Sequence, residues 1–168
     1  MPSKVTIRRA VPEDAGSILR VRHAAIYGKA ASHYTVEQLA AWFEEAPLTP
    51  DAIEKQAQFI GDEGTYTYVA EHNGTIIGFS AVVPAQNELR RVFVAPGQWS
   101  GVGGQLLTHA EAQARKLELT HLNCEASVNA ENFYAKHGYE VVERGMYRTQ
   151  SGVEAPCVKM KKHFPRKA

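Results

Sequence analysis

The chain has 168 residues, 44% of them hydrophobic and 22% charged, and its 19 basic and 18 acidic side chains leave a net charge of +1. That composition suits one folded domain with a real core and gives no basic excess that would argue for nucleic acid. No apolar run approaches the roughly 20 residues of a membrane span, and the opening MPSKVTIRRA lacks the apolar region of a signal peptide.

Alternation of Val5 and Ile7 predicts a short first strand, after which Pro12, Glu13 and Asp14 open a helix that runs to about Ala30. Thr35 and Gln38 form a capping-box pattern ahead of a second helix carrying Leu39, Trp42 and Phe43. Pro47 and Pro50 break it, and residues 51–59 read as a third. TYTYVAEH and TIIGFSAVV flank Asn73-Gly74, the strongest two-residue hairpin signal. A strand over residues 88–94 follows, then a glycine-rich loop. Next comes a helix with Val102, Leu106, Ala110, Ala114 and Leu117 on its apolar face. Leu122, Cys124 and Ala126 alternate with polar residues in a half-buried strand. A short helix over residues 129–137 takes Asn129 as N-cap and stops at Gly138. Residues 139–148 and 153–164 make two last strands joined at Ser151-Gly152, and the basic tail KMKKHFPRK reads as a solvated terminus.

Two cysteines far apart, with no CxxC pair, fit a reduced cytoplasmic compartment, and the seven histidines show no ligand spacing, so no metal is expected. The glycine loop carries the first hint of chemistry. It is not GxxxxGK[ST], and Gly101-Val102-Gly103 reaches Leu106 where a dinucleotide fingerprint needs a third glycine. Gln98-Trp99-Ser100-Gly101-Val102-Gly103 instead fits Q/R-x-x-G-x-G/A. Amides of Gly101, Val102, Gly103 and Gly104 presented at a helix start suit a pyrophosphate. The same glycines serve a tight strand-to-helix turn equally well.

Further matches extend beyond the loop. Ile7-Arg8-Arg9-Ala10 with Asp14 and Ile18, then Leu89 to Val94 with Pro96, then the loop, occur in the order of one family. Asn129-Ala130-Glu131-Asn132-Phe133-Tyr134 followed by Gly138-Tyr139 fits N-x-x-x-F-Y-x-x-x-G-F/Y. Across nearly the whole chain the sequence resembles the GNAT superfamily of acyl-CoA-dependent N-acyltransferases. Tyr34 to Leu39 with Trp42 is similar to small bacterial members. One departure is the single residue, Gly97, between Pro96 and Gln98, where two are commoner.

The resemblance implies one α+β domain over residues 1–168. Its mixed, mostly antiparallel sheet of six to seven strands would be flanked by helices and splayed between strands four and five. It implies acetyl-CoA as cosubstrate and direct attack by a primary amine in a ternary complex. Pantetheine would lie along Val92, Phe93 and Val94; the Leu89–Val92 spacing permits a bulge there. Gln98, Trp99, Ser100, Gly101, Val102, Gly103, Gly104 and Gln105 would hold the pyrophosphate, with Asn129 and Asn132 near the pantetheine.

Tyr134 would be the general acid toward the CoA sulfur, a phenol being able to donate to a forming thiolate. Glu88 is the first candidate for the base, ahead of Glu125 and His23. Cys124 reads as buried packing. Tyr27, His33, Tyr34, Trp42 and Tyr147 are acceptor-side candidates. Neither a nucleic acid nor a membrane is an expected partner, and monomer and homodimer both remain open. The competing reading is a non-catalytic acyl-CoA-binding module; a nucleotide-binding domain is disfavoured by the missing Lys-Ser/Thr and third glycine.

Overall fold

The computed structural model describes residues 4–166; the first three residues of the opening segment and Lys167 of the basic tail lie outside the described residues. Seven strands form one sheet: β1 (Thr6–Arg9), β2 (Tyr66–His72), β3 (Thr75–Val83), β4 (Glu88–Val94), β5 (His121–Ser127), β6 (Glu140–Arg148) and β7 (Glu154–His163). Their order is β1-β2-β3-β4-β5-β7-β6, antiparallel throughout except where β4 meets β5. The β2–β3 hairpin turns at Asn73 and Gly74, both with positive φ, as the Asn-Gly pair demands.

The helices are α1 (Ala15–Ala25), α2 (Val36–Glu45), α3 (Pro50–Gly61), α4 (Val102–Lys116) and α5 (Glu131–Lys136). The capping box is present in both halves: Gln38 N–H donates to Thr35 Oγ1 at 3.1 Å, and Thr35 N–H donates to Gln38 Oε1 at 2.9 Å. Helix α1 and α3 cover one face of the sheet through Ile18, Val21, Ile60 and Phe79. Helix α4 covers the other, with Leu106 and Leu107 almost wholly buried. Burying each such leucine contributes about 1.5–3 kcal/mol. Arg8 clamps Asp14 with two bonds of 2.8 and 2.9 Å, fixing β1 to the entry of α1.

Three local readings are corrected. The first helix does not run evenly to Ala30: residues Ile26–Ala30 widen into a π-turn. Leu117 ends α4 with 40% of its surface exposed, outside the core. Asn129 caps nothing; it sits inside the turn Val128–Ala130 that precedes α5.

Tyr34, read as an acceptor-side candidate, is instead a structural tie. Its buried hydroxyl accepts from Val128 N–H at 2.7 Å and donates to the Pro156 carbonyl at 2.9 Å. Tyr34→Phe strands both backbone groups, and a loss of about 1–3 kcal/mol is expected in chemical denaturation.

His23 lies buried on α1, its Nε2 2.5 Å from the Ala46 carbonyl and its ring against Phe43. Burial, then the Arg22 charge, hold the imidazole below its ordinary 6.5 against that hydrogen bond. With the folded value lowered, the neutral ring's contribution is complete above 6.5 and is lost as pH falls toward the folded value. Stability should therefore decline on acidification below 6.5, and His23→Gln, which keeps a donor for Ala46, should flatten that decline.

Candidate active site

The parting of two strands creates the site. Strands β4 and β5 pair at a single register position, Glu88 with Asn123, closed by Asn123 N–H donating to the Asn87 carbonyl at 2.7 Å. Beyond that point they diverge, so the backbone groups of Val92–Val94 that face β5 have no strand partner. A bulge in β4 accompanies the divergence: Leu89 pairs with Val82 and Arg91 with Ala81, leaving Arg90 as the extra residue. It turns Val92 and Val94 toward α4, and Phe93 toward α1 and α2.

A cleft of about 1300 Å³ fills the gap. One end is built from the glycine loop and α5. Gly101 starts α4 with φ +81°, a left-handed conformation that lets the strand turn sharply into the helix. Gly103 and Gly104 occupy the first turn, where helix amides lack intrahelical acceptors. They also allow α5 to approach, since a Cβ on Gly103 would lie 3.1 Å from Phe133 and one on Gly104 3.0 Å from His137. Backbone access and close helix packing thus demand glycine together.

Tyr134, on α5, lines the cleft with 5% of its surface exposed and its ring against Phe133 and Tyr139. Burial first, then Cys124, pushes the phenol well up, which keeps its proton on. Asn129 lines the same wall, and its buried Oδ1 has no hydrogen-bond partner among the described residues. An orphaned acceptor beside unpaired strand amides and glycine amides is the chemistry that a chain of amides ending in a pyrophosphate would satisfy.

The other end is polar. Arg22, Trp42, Glu45, Arg91, Glu125 and Tyr147 line it, from α1, α2, β4, β5 and β6. Tyr147 donates to the Glu45 carboxylate at 3.0 Å, and Gln150 N–H donates to Glu45 Oε1 at 3.0 Å. Glu88 lines the cleft near the strand junction, with Arg90 Nε 3.2 Å from Oε1 and Nη2 3.1 Å from Oε2.

Residues 30–164 match the family described as acetyltransferase (GNAT) domain, four-fifths of the chain. The chain belongs to the GNAT acetyltransferase family. Membership makes it an acetyl-CoA-dependent acyltransferase. Among solved structures, a GCN5-related N-acetyltransferase from Rhodopseudomonas palustris is 28% identical, with 98% of each chain covered and a TM-score of 0.85. The PaiA N-acetyltransferase of Thermoplasma acidophilum, solved with coenzyme A, is 20% identical over 96% of this chain and 99% of that one, TM-score 0.75. An aminoglycoside 6'-N-acetyltransferase complexed with coenzyme A is 14% identical over 97% and 99%, TM-score 0.68. No curated protein sequence matches. No helix among the described residues is long and apolar enough to cross a membrane.

In this GNAT acetyltransferase, Val92, Phe93, Val94, Trp99, Ser100, Gly101, Gly103, Gly104, Asn129, Asn132, Tyr134 and Glu88 all reach the cleft. Gln98, Val102 and Gln105 do not: Val102 is buried under the sheet, and Gln98 and Gln105 face outward. The Val102 amide, read as open to a phosphate, already donates to the Trp99 carbonyl at 3.3 Å. His23 is removed from the base candidates by its place between Ala46 and Phe43. Tyr27 and His33 are exposed away from the cleft, whereas Trp42 and Tyr147 line it. Arg22, Arg91 and Glu45 escaped the sequence reading as site residues because they come together only where α1, α2 and β4 meet.

Proposed function

We propose that this GNAT acetyltransferase moves the acetyl group of acetyl-CoA directly to a primary amine held in the same cleft, with residues 1–168 acting as one N-acetyltransferase domain. The observation that carries this is Tyr134, a buried and protonated phenol on the wall of a cleft whose two ends differ in chemistry. Acetyl-CoA supplies the activated acyl group. Val92–Val94 offer backbone groups to its amide chain, Gly103 and Gly104 offer amides to its pyrophosphate, and Asn129 offers an acceptor. Tyr134 delivers a proton toward the sulfur.

Direct transfer needs no enzyme nucleophile, and the thiols are poor ones. Burial pushes Cys124 up to about 12 and also raises Cys157, which lines the cleft. Both cysteines are free, which supports a reducing, cytoplasmic setting. Glu88 is the base in this reading. Its pairing with Arg90 orients the carboxylate toward a water that carries the proton from the amine. Glu125, exposed on the facing strand, is the competing carboxylate.

A free-thiol assay with acetyl-CoA over an amine panel, with products identified by mass spectrometry, tests the proposal. Intersecting initial-velocity lines are expected; parallel lines would mean a covalent enzyme intermediate and end the direct mechanism. Binding of CoA with no amine acetylated would leave a binding module in its place.

A further inference from the structure

We infer that the acceptor is a small amine that also carries a carboxylate, and that Arg22 and Arg91 receive that carboxylate at the α1–α2 end of the cleft. The inference rests on the acetyltransfer reading of the same site.

Two guanidinium groups line one end of the cleft within the field of the Glu45 carboxylate, yet neither makes an ion pair among the described residues. Arg22 is only 6% exposed, yet its Nε has no hydrogen-bond partner among the described residues, and Nη1 reaches only the Trp42 carbonyl at 3.3 Å. Arg91 is half-buried and joins none of the ion pairs or side-chain hydrogen bonds among the described residues. A buried arginine is ordinarily satisfied by a carboxylate, often through two parallel N–H donors.

The carboxylates nearby, Glu45 acting on both arginines and Glu88 on Arg91, favour the charged guanidinium without outweighing burial, and neither is in direct contact with Arg22 or Arg91. Glu45 binds the Tyr147 hydroxyl and the Gln150 amide, and Glu88 is held by Arg90. Glu125 faces the cleft from the opposite strand without an ion pair to either arginine. Burial pushes Arg22 down to about 10, with the neighbouring Arg91 charge adding to the fall, and burial lowers Arg91 with Arg90 adding. An anion set between Arg22 and Arg91 would relieve both the burial and the mutual repulsion. A carboxylate attached to the amine places that anion while Glu125 and Glu88 remain to face the ammonium.

Amine pairs in which a methyl group replaces the carboxylate test this: β-alanine with propylamine, γ-aminobutyrate with butylamine, and L-leucine with 1,3-dimethylbutylamine. In the free-thiol assay at least one carboxylate-bearing member should show a kcat/KM about tenfold or more above its carboxylate-free partner. Arg91→Gln should bring the kcat/KM ratio within each pair to within about twofold of one, with calorimetric CoA binding showing that the fold and the CoA end of the cleft persist. Equal use of both members of every pair, or an equal loss for both in Arg91→Gln, overturns the inference. Should no amine release thiol, calorimetry on the CoA-loaded protein compares N-acetyl-β-alanine with N-propylacetamide. Preferential binding of the acid that weakens in Arg91→Gln upholds the anion subsite and removes the transfer reading. Absence of that preference overturns the subsite.

Discussion

Tyr134→Phe should lower kcat by about 100-fold to 10,000-fold, the usual worth of a positioned general acid, while CoA affinity stays close to that of the unaltered protein. The substitution removes one oxygen from a ring whose packing against Phe133, Tyr139 and the α4 residues is apolar. No hydrogen bond within the protein is lost, because none engages this hydroxyl among the described residues. The fold should therefore melt within a degree or two of its original temperature, as expected of a change that leaves core volume intact. Single-turnover kinetics with saturating amine and calorimetric CoA binding, on one preparation, separate the two effects. Undiminished turnover would remove Tyr134 from the proton transfer.

Gly103→Val should weaken CoA binding by about tenfold or more, the second-largest effect expected. The new Cβ would stand 3.1 Å from the Phe133 ring, which must give by a few tenths of an ångström, and at ordinary contact distance, 3.7 Å, from Val94. Its methyl groups would also crowd the first-turn amides that the pyrophosphate reading requires. Overpacking of this kind costs about 1–3 kcal/mol of stability. A thermal melt without ligand measures that cost, and CoA titration calorimetry measures the rest. A variant that melts lower yet binds CoA as tightly as before would assign Gly103 to packing alone.

Much of the frame was legible in the sequence, for local reasons. Asn73-Gly74 forces a hairpin, Thr35 with Gln38 starts a helix, and Leu122, Cys124 and Ala126 alternate because one face of β5 is buried. Most cleft residues on β4, the loop and α5 followed from the family resemblance, whose motifs each lie on a continuous element. What stayed hidden depends on distant partners. Nothing near Tyr34 tells of Val128 and Pro156, about a hundred residues onward. Nothing local shows that Arg22 is enclosed, since burial of a charge arises only when α1, α2 and β4 meet. Asn129 allowed two readings, a helix cap and a contact near the pantetheine; the intervening 3₁₀ turn removes the first and leaves the side chain on the cleft wall.

The single-point contact between β4 and β5 has one more consequence, for how the molecule avoids other chains. A sheet opened in its middle exposes two additional rows of unpaired amides and carbonyls, each a template for foreign strands. Here the two rows face one another across a slot walled by α1 and α2 on one side and α4 and α5 on the other. A pleated strand needs a spacing of about 4.8 Å to each neighbour and room for side chains on both faces. The β-alanyl and cysteamine segments of a pantetheine arm carry no such side chains and need only the spacing of one strand. The same geometry that opens the backbone to ligand therefore protects it from aggregation.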